Sequence, residues 1–294
     1  MKKSLMTVIL IAMAGGAYAA DFSALAVNAA GLEALDTAES VPAPAVVKGY
    51  VEEMSEVEWV TLDGGKFIMG TTDENDRFDD ARPAHEVVIK TFKMAKTAVT
   101  VGQYAECVNA DACTAPGTGG QCNWGKAGRK FHPVNCVSWD QAGQYARYKD
   151  ARLPSESEWE YAATSGGRNQ KYPWGNESPT CARAVMFGAG EVGCGSGGTL
   201  PVCSRPAGNT AQGLCDMAGN VEQWIQDEYH GSYKGAPADG SVFRLPTDRG
   251  AAHIQRGGTF QGTQDADLRS YFRSVDIFGG AYPYTFGFRL ARSL

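Results

Sequence analysis

Eight cysteines and four histidines are the residues of this 294-residue chain whose types suit redox or metal chemistry. The cysteines are Cys107, Cys113, Cys122, Cys136, Cys181, Cys194, Cys203 and Cys215, an even number confined to one central stretch. Zinc knuckles and redox couples use Cys-x-x-Cys spacing, and the chain has none. Eight cysteines allow many disulfide connectivities; the expectation taken is pairing in sequence order, 107 with 113, 122 with 136, 181 with 194, 203 with 215, which closes four short loops. Each bridge would staple irregular backbone at roughly 2–4 kcal/mol. The histidines, His85, His132, His230 and His253, show no close spacing of the kind that holds one metal ion. No G-x-S-x-G elbow accompanies them. A further group lies near the C-terminus. Thr259, Gln261, Asp265, Asp267, Arg269, Arg273 and Tyr282 mix carboxylates, guanidinium groups and an aromatic ring. Such a surface suits a polar small molecule or a peptide.

Disulfides need an oxidising compartment, and the N-terminus supplies the address. Lys2 and Lys3 precede an apolar run from Leu5 to Ala14, and small residues follow, ending Ala17-Tyr18-Ala19. This is the three-part pattern of a secretory signal peptide, with cleavage after Ala19. The apolar run is shorter than the roughly 20 residues that span a bilayer, and no other stretch is long and apolar enough. The expectation is a periplasmic or secreted protein of a bacterium, with no membrane span after cleavage. A net charge of −6 gives no basic face for a nucleic acid. At 43 % hydrophobic residues the chain is too apolar to be disordered.

The elements that must position these residues are short. Residues 20–56, rich in Ala, Val, Pro and Glu, read as an N-terminal linker; the folded domain is expected over 57–294. Val57–Leu62 and Lys66–Met69 read as strands joined by the Asp63-Gly64-Gly65 turn, and His85–Phe92 as a third strand. Three capping boxes open helices: Thr100 with Gln103, Ser138 with Gln141, and Ser155 with Glu158. Trp139, Trp159 and Trp174 read as core aromatics. The 36 glycines imply many turns. Short strands are expected at Arg256–Phe260 and Gly287–Leu290, in one sheet. The class is α+β, with few short helices and strands and much irregular backbone.

An ordered series of motifs carries a family resemblance. It runs through Gly64-Gly65-Lys66-Phe67-Ile68-Met69-Gly70, His132-Pro133-Val134 and Arg152-Leu153-Pro154-Ser155-Glu156-Ser157-Glu158-Trp159. It continues with Tyr172-Pro173-Trp174-Gly175, Asp216-Met217-Ala218-Gly219-Asn220-Val221, Arg256-Gly257-Gly258 and Gly287-Phe288-Arg289. Together these resemble the formylglycine-generating enzyme family, or sulfatase-modifying factor domain. The resemblance implies a single domain related to the C-type lectin fold.

The same resemblance bears on chemistry. The family's enzymes oxidise a sulfatase cysteine to formylglycine with copper(I) held by two cysteines after the Arg-Gly-Gly motif. Here those positions are Gly262 and Asp267. Copper(I) prefers thiolates, so copper and formylglycine generation are not expected. The resemblance also implies one calcium site at Asp216, Gly219, Val221 and Gln223, weakened because Gln223 stands where the family has a carboxylate. A second site would start at an asparagine where this chain has Val185. The leading expectation is an exported domain of this type without the catalytic cysteines, binding a polar small molecule or an exported protein or peptide through 256–289. Two rivals stay open. One is a periplasmic oxidoreductase that matures a secreted small molecule, of the siderophore-chromophore type. The other is an envelope or secretion-system assembly factor.

Overall fold

Each capping box starts a helix where the sequence places it. Thr100, Ser138 and Ser155 accept the N–H three residues on, and Gln103, Gln141 and Glu158 accept the cap's own N–H in return. The helices are α1 (Val101–Asn109), α2 (Trp139–Tyr148) and α3 (Glu156–Ala163). The first two are amphipathic, and Tyr104 of α1 stacks on Tyr145 of α2 with ring centroids 5.5 Å apart. Helix α3 differs, because all eight of its residues are buried, Glu156, Glu158 and Glu160 included. Buried carboxylates must find cations and donors, and the architecture around α3 supplies them.

The computed structural model describes residues 56–74, 78–244, 252–275 and 283–294. The signal pattern, most of the linker and Tyr282 lie outside them. The strands are β1 (Trp59–Leu62), β2 (Gly65–Met69), β3 (His85–Ile89), β4 (Phe92–Ala95), β5 (Glu222–Glu228), β6 (His253–Arg256), β7 (Arg273–Val275), β8 (Phe286–Gly287) and β9 (Ala291–Ser293). They form sheets of order β1-β4-β9, β2-β3 and β7-β6-β5-β8. In the last, β8 runs parallel to β5 and the other pairs are antiparallel.

One expectation changes here. The Asp63–Gly65 turn joins β1 to β2 but does not pair them. Strand β1 pairs with β4, and β2 with β3. The stretch His85–Phe92 is not one strand, since it breaks at Lys90-Thr91. Gly64 explains both. Its N–H donates to Thr91 Oγ1 at 3.1 Å, and a Cβ there would collide with the backbone of Ile89 and Thr91. The chain doubles back at that contact and sends its strands to two sheets. Strand β5 had no signal in the sequence, because Glu-Gln-Trp-Ile-Gln-Asp-Glu shows no apolar alternation, yet its first four residues are buried on both faces. The strands expected at Arg256–Phe260 and Gly287–Leu290 lie earlier in the chain, as β6 (His253–Arg256) and β8 (Phe286–Gly287), so each expected segment overlaps its strand by one residue, though both strands do belong to one sheet, with β5 between them.

All eight cysteines form disulfides in sequence order: Cys107–Cys113, Cys122–Cys136, Cys181–Cys194 and Cys203–Cys215. One core gathers Trp159, Leu214, Met217, Ile225 and Ile254 between α3 and the sheets. A second surrounds Tyr104, Tyr145 and Phe288. No described helix is long and apolar enough to cross a membrane.

The caps differ in their surroundings. Ser155 is buried and also donates to Gly240 O at 2.9 Å, whereas the Ser138 cap lies at the surface. Ser155→Ala should therefore cost about 1–2 kcal/mol in a urea titration, more than Ser138→Ala. Equal losses would show that the Gly240 contact adds nothing.

Candidate functional site

Side chains alternate across a strand, so the β7-β6-β5-β8 sheet has two faces of different chemistry. On the face toward α3, Gln223, Arg256 and Arg273 lie in one row across the ladder. Arg256 reaches Glu156 Oε1 at 3.1 Å and Glu160 Oε2 at 2.5 Å. Arg273 grips the same Glu156 through Nε at 2.7 Å and Nη2 at 3.1 Å. Tyr233 Oη donates to Glu156 Oε1 and the Gly70 N–H to Glu160 Oε1. Burial alone would raise the Glu156 carboxyl, but the guanidinium groups of Arg273 and Arg256 outweigh it and hold it below the usual range. Arg273 is thus an ion of the interior and not part of a ligand surface. Its side chain turns inward because β7 pairs in register with Arg256.

Behind that row, Arg289 is fully buried. It donates to Gln223 Oε1 at 2.6 Å and Cys215 O at 2.6 Å, and to the carbonyls of Ala95 and Lys96 at 3.1 and 3.2 Å. Gln223 Oε1 also accepts the Trp159 indole N–H at 2.9 Å. The Asp216 carboxylate accepts the Cys203 N–H at 2.8 Å, and its carbonyl accepts Gln223 Nε2–H. These four positions, Asp216, Gly219, Val221 and Gln223, therefore do not fit calcium. The oxygen of Gln223 is filled by two donors, one of them a buried guanidinium that would repel a cation. Gly219, at φ +82°, packs against the backbone of Val185 instead.

The opposite face carries Glu222, Trp224, Gln255 and Ser274, with the last three directly across the ladder from one another. Glu222 is buried, and desolvation, aided by the charge of Asp267 and opposed by a Ser274 hydrogen bond, pushes its carboxyl up to about 7. Gln255 is completely buried. Its Nε2 donates to His253 O at 3.1 Å, and its Oε1 has no donor.

Beside this face runs the segment that joins β6 to β7. Gly262 is buried there, and a Cβ on it would stand 3.9 Å from the Cβ of Asp267. Two side chains at these positions would touch. The segment is held by its backbone. Phe187 N–H donates to Gly262 O at 3.1 Å, and Gly193 N–H to Phe260 O at 2.9 Å. Gly258 allows the turn, with φ +66° and Asp267 O where a Cβ would be. Asp265 is exposed, Thr259 Oγ1 accepts the Gln261 N–H at 3.1 Å, and Gln261 Nε2 lies 3.4 Å from Gln121 Oε1. Arg269 turns to Tyr271 Oη at 2.9 Å. The expected group is thus divided: Thr259, Gln261, Asp265 and Asp267 share the segment, while Arg269 and Arg273 point to other partners.

The histidines are aromatic packing units. His253 stacks on Trp139 at 3.8 Å and His230 on Phe243 at 3.5 Å. Burial, with Arg129 beside it, pushes His132 down to about 4. Among the described residues no cluster of three or more His, Cys, Asp or Glu could hold a metal ion.

This arrangement coincides with a known sequence family. Residues 46–294 match the model of the sulfatase-modifying factor enzyme 1-like domain. The chain belongs to the sulfatase-modifying factor family. Among its relatives, the serine/threonine-protein kinase pkn1 of Chlamydia caviae is 33% identical over 271 residues, 85% of this chain and 41% of that protein. This chain thus spans about two fifths of that kinase. The formylglycine-generating enzyme of Streptomyces coelicolor is 31% identical, across 68% of this chain and 78% of its own length. Among solved structures, PvdO from Pseudomonas aeruginosa superposes with a TM-score of 0.68 at 30% identity, covering 82% of this chain and 96% of that one.

At the two positions where the resemblance implies the family's copper cysteines, Gly262 and Asp267 lie side by side and neither offers a thiol. A glycine has no donor, a carboxylate is a hard one, and every cysteine elsewhere is in a disulfide. The residues present do not fit copper(I). Sequence reasoning passed over Glu222 because it adjoined the calcium motif. The signal was there in Val-Glu-Gln-Trp, an acid set among residues typical of a core.

Two isosteric changes should move stability in opposite directions. Glu156→Gln leaves two buried guanidinium groups short of charge and should cost about 3–5 kcal/mol; the Glu156 contribution is present above its unfolded pKa and fades as pH falls. Glu222 has its folded pKa raised from 4.5 to about 7, so the native state binds the extra proton and its stability falls as pH rises from 4.5 to 7. Glu222→Gln should be neutral near pH 4.5 and stabilising by up to about 3 kcal/mol at pH 8. Urea titrations at both pH values check the two signs.

Proposed function

We propose that this is an exported member of the family that does not generate formylglycine and that takes a polar small molecule or a peptide beside Gly262 and Asp267, against the Glu222 face of the sheet. The observation that carries the reading is the closeness of positions 262 and 267, where a Cβ on Gly262 would stand 3.9 Å from the Cβ of Asp267. The family's reactive position is kept in shape, while its metal-binding chemistry is replaced by a carboxylate whose charge acts on a second, buried carboxyl. Export is supported by the Lys2–Ala19 pattern and by the four disulfides, which belong to an oxidising compartment.

A second reading has its own support. Glu222 titrates near neutrality, where a carboxyl both accepts and returns protons efficiently. That favours a periplasmic oxidoreductase acting on a secreted small molecule, with Glu222 as acid–base group and an oxidant bound from solution.

Metal analysis and oxygen uptake with a cysteine peptide of sulfatase type test the first reading. The purified mature chain should hold no copper and show no sustained uptake. Gly262→Cys combined with Asp267→Cys should bind one copper(I) per chain, because the two side chains would touch. Stoichiometric copper with turnover in the unchanged protein would overturn the proposal.

A further inference from the structure

A cavity of about 340 Å³ lies where the β3–β4 corner, the start of α3, the 239–242 segment and the end of β9 meet, and none of its lining residues belongs to 256–289. Ile89, Phe92 and Val242 give it apolar surface. The 239–242 wall is tied down along its length. Val88 N–H donates to Ala238 O at 2.8 Å, Ser155 Oγ to Gly240 O at 2.9 Å, and Phe243 N–H to Asp227 Oδ1 at 2.8 Å. A wall held in this way is formed before a guest arrives, which spares the cost of ordering it.

The charges around the cavity are spent on one another. Arg152 meets both oxygens of Glu158, at 2.6 and 2.7 Å, and its other N–H groups go to Ser293 Oγ and Leu153 O. Hydrogen bonds from Ser241, with a smaller contribution from the charge of Lys90, hold the Asp239 carboxyl below its usual range. An anionic guest that met Lys90 would also meet Asp239 and Glu158, and a cationic guest would meet Arg152. Neutral hydrogen-bonding groups, by contrast, are left over. Gln226 is half-buried, and its side-chain amide has no hydrogen-bond partner among the described residues. The hydroxyls of Thr91 and Ser293 accept N–H groups from Gly64 and Arg152, and their own hydrogens are spent on none of the described residues. A hydroxyl group both donates and accepts. A guest built of hydroxyls therefore serves all three left-over groups without bringing charge, whereas a hydrocarbon would strand the amide.

We propose that this cavity binds a small neutral polyol, of the size of a single sugar ring, through Gln226, Thr91 and Ser293. Its volume stands at the small end of the range for ligand sites, which suits one ring and not a long chain. The site is separate from the 256–289 region and stands or falls independently of it.

Glucose is the probe, with glucuronate and glucosamine as its anionic and cationic counterparts and N-acetylalanine N-methylamide as a neutral peptide-like compound. Each is titrated at pH 7 into the 15N-labelled protein while the Gly240 and Ser241 backbone amides and the Gln226 side-chain amide are followed. Glucose should shift all three signals saturably and bind more tightly than either charged counterpart. Gln226→Ala should weaken glucose by about fivefold, the loss of one neutral hydrogen bond. The thermal midpoint of that variant should not change, because the amide holds no partner in the fold, so a loss of binding is not a loss of structure. Equal glucose affinity in Gln226→Ala overturns the assignment. Tighter binding of glucuronate or glucosamine overturns the neutrality of the guest. A saturable response to the peptide-like compound alone overturns the polyol class, and no saturable shift with any probe overturns the site itself.

Discussion

One carboxylate organises the functional half of this protein. Glu156, the first residue of α3, is gripped by Arg256, the last residue of β6, and by Arg273, the first residue of β7. These arginines are the two ends of the 257–272 excursion that carries Gly262 and Asp267. A single buried anion therefore closes the base of that loop. Taking four charges from water costs several kcal/mol per ion, and a buried network returns it only with good geometry and filled hydrogen-bonding positions. Here both oxygens of Glu156 and Glu160 have donors, and Arg256 also stacks over Trp159 at 5.2 Å. What the network secures is registry. A slip of one residue in β6 or β7 would move a guanidinium to the face of Glu222 and leave Glu156 uncompensated.

Strand alternation then gives the two buried faces of the sheet different chemistry. Arg256 and Arg273 turn to α3 while Gln255 and Ser274, their chain neighbours, turn away with Trp224 and Glu222. The raised Glu222 carboxyl and the depressed Glu156 carboxyl lie on opposite sides of one layer of backbone. The contrast follows from which face received the arginines.

Legibility in the sequence tracked the range of the interaction. The helix starts depend on contacts three residues apart, and Thr100, Ser138 and Ser155 announced them. The disulfides close loops of 6–14 residues, and pairing in sequence order, one of many arrangements eight cysteines allow, is the one found. Strand β5 was hidden because its polar residues are matched by partners far along the chain, such as Gln223 with Trp159 and Arg289. Arg273 and Gln223 were misjudged for the same reason. An arginine beside aspartates reads as a ligand group, and a glutamine at a calcium position reads as an oxygen donor. Only the fold shows that each is already occupied, one by Glu156 and the other by Arg289. The Gly262–Asp267 juxtaposition was legible solely through the family motif, since five residues of irregular backbone carry no periodicity.

That juxtaposition also explains how the copper thiols can be absent while the fold persists. Part of what positions the loop does not depend on positions 262 and 267. Its base is held by Glu156, and its tip by backbone hydrogen bonds to the loop closed by Cys181–Cys194. Main chain and distant charges thus carry much of that shape. The buried Glu222 carboxyl is raised chiefly by desolvation, and a carboxylate at 267 adds its charge to that effect.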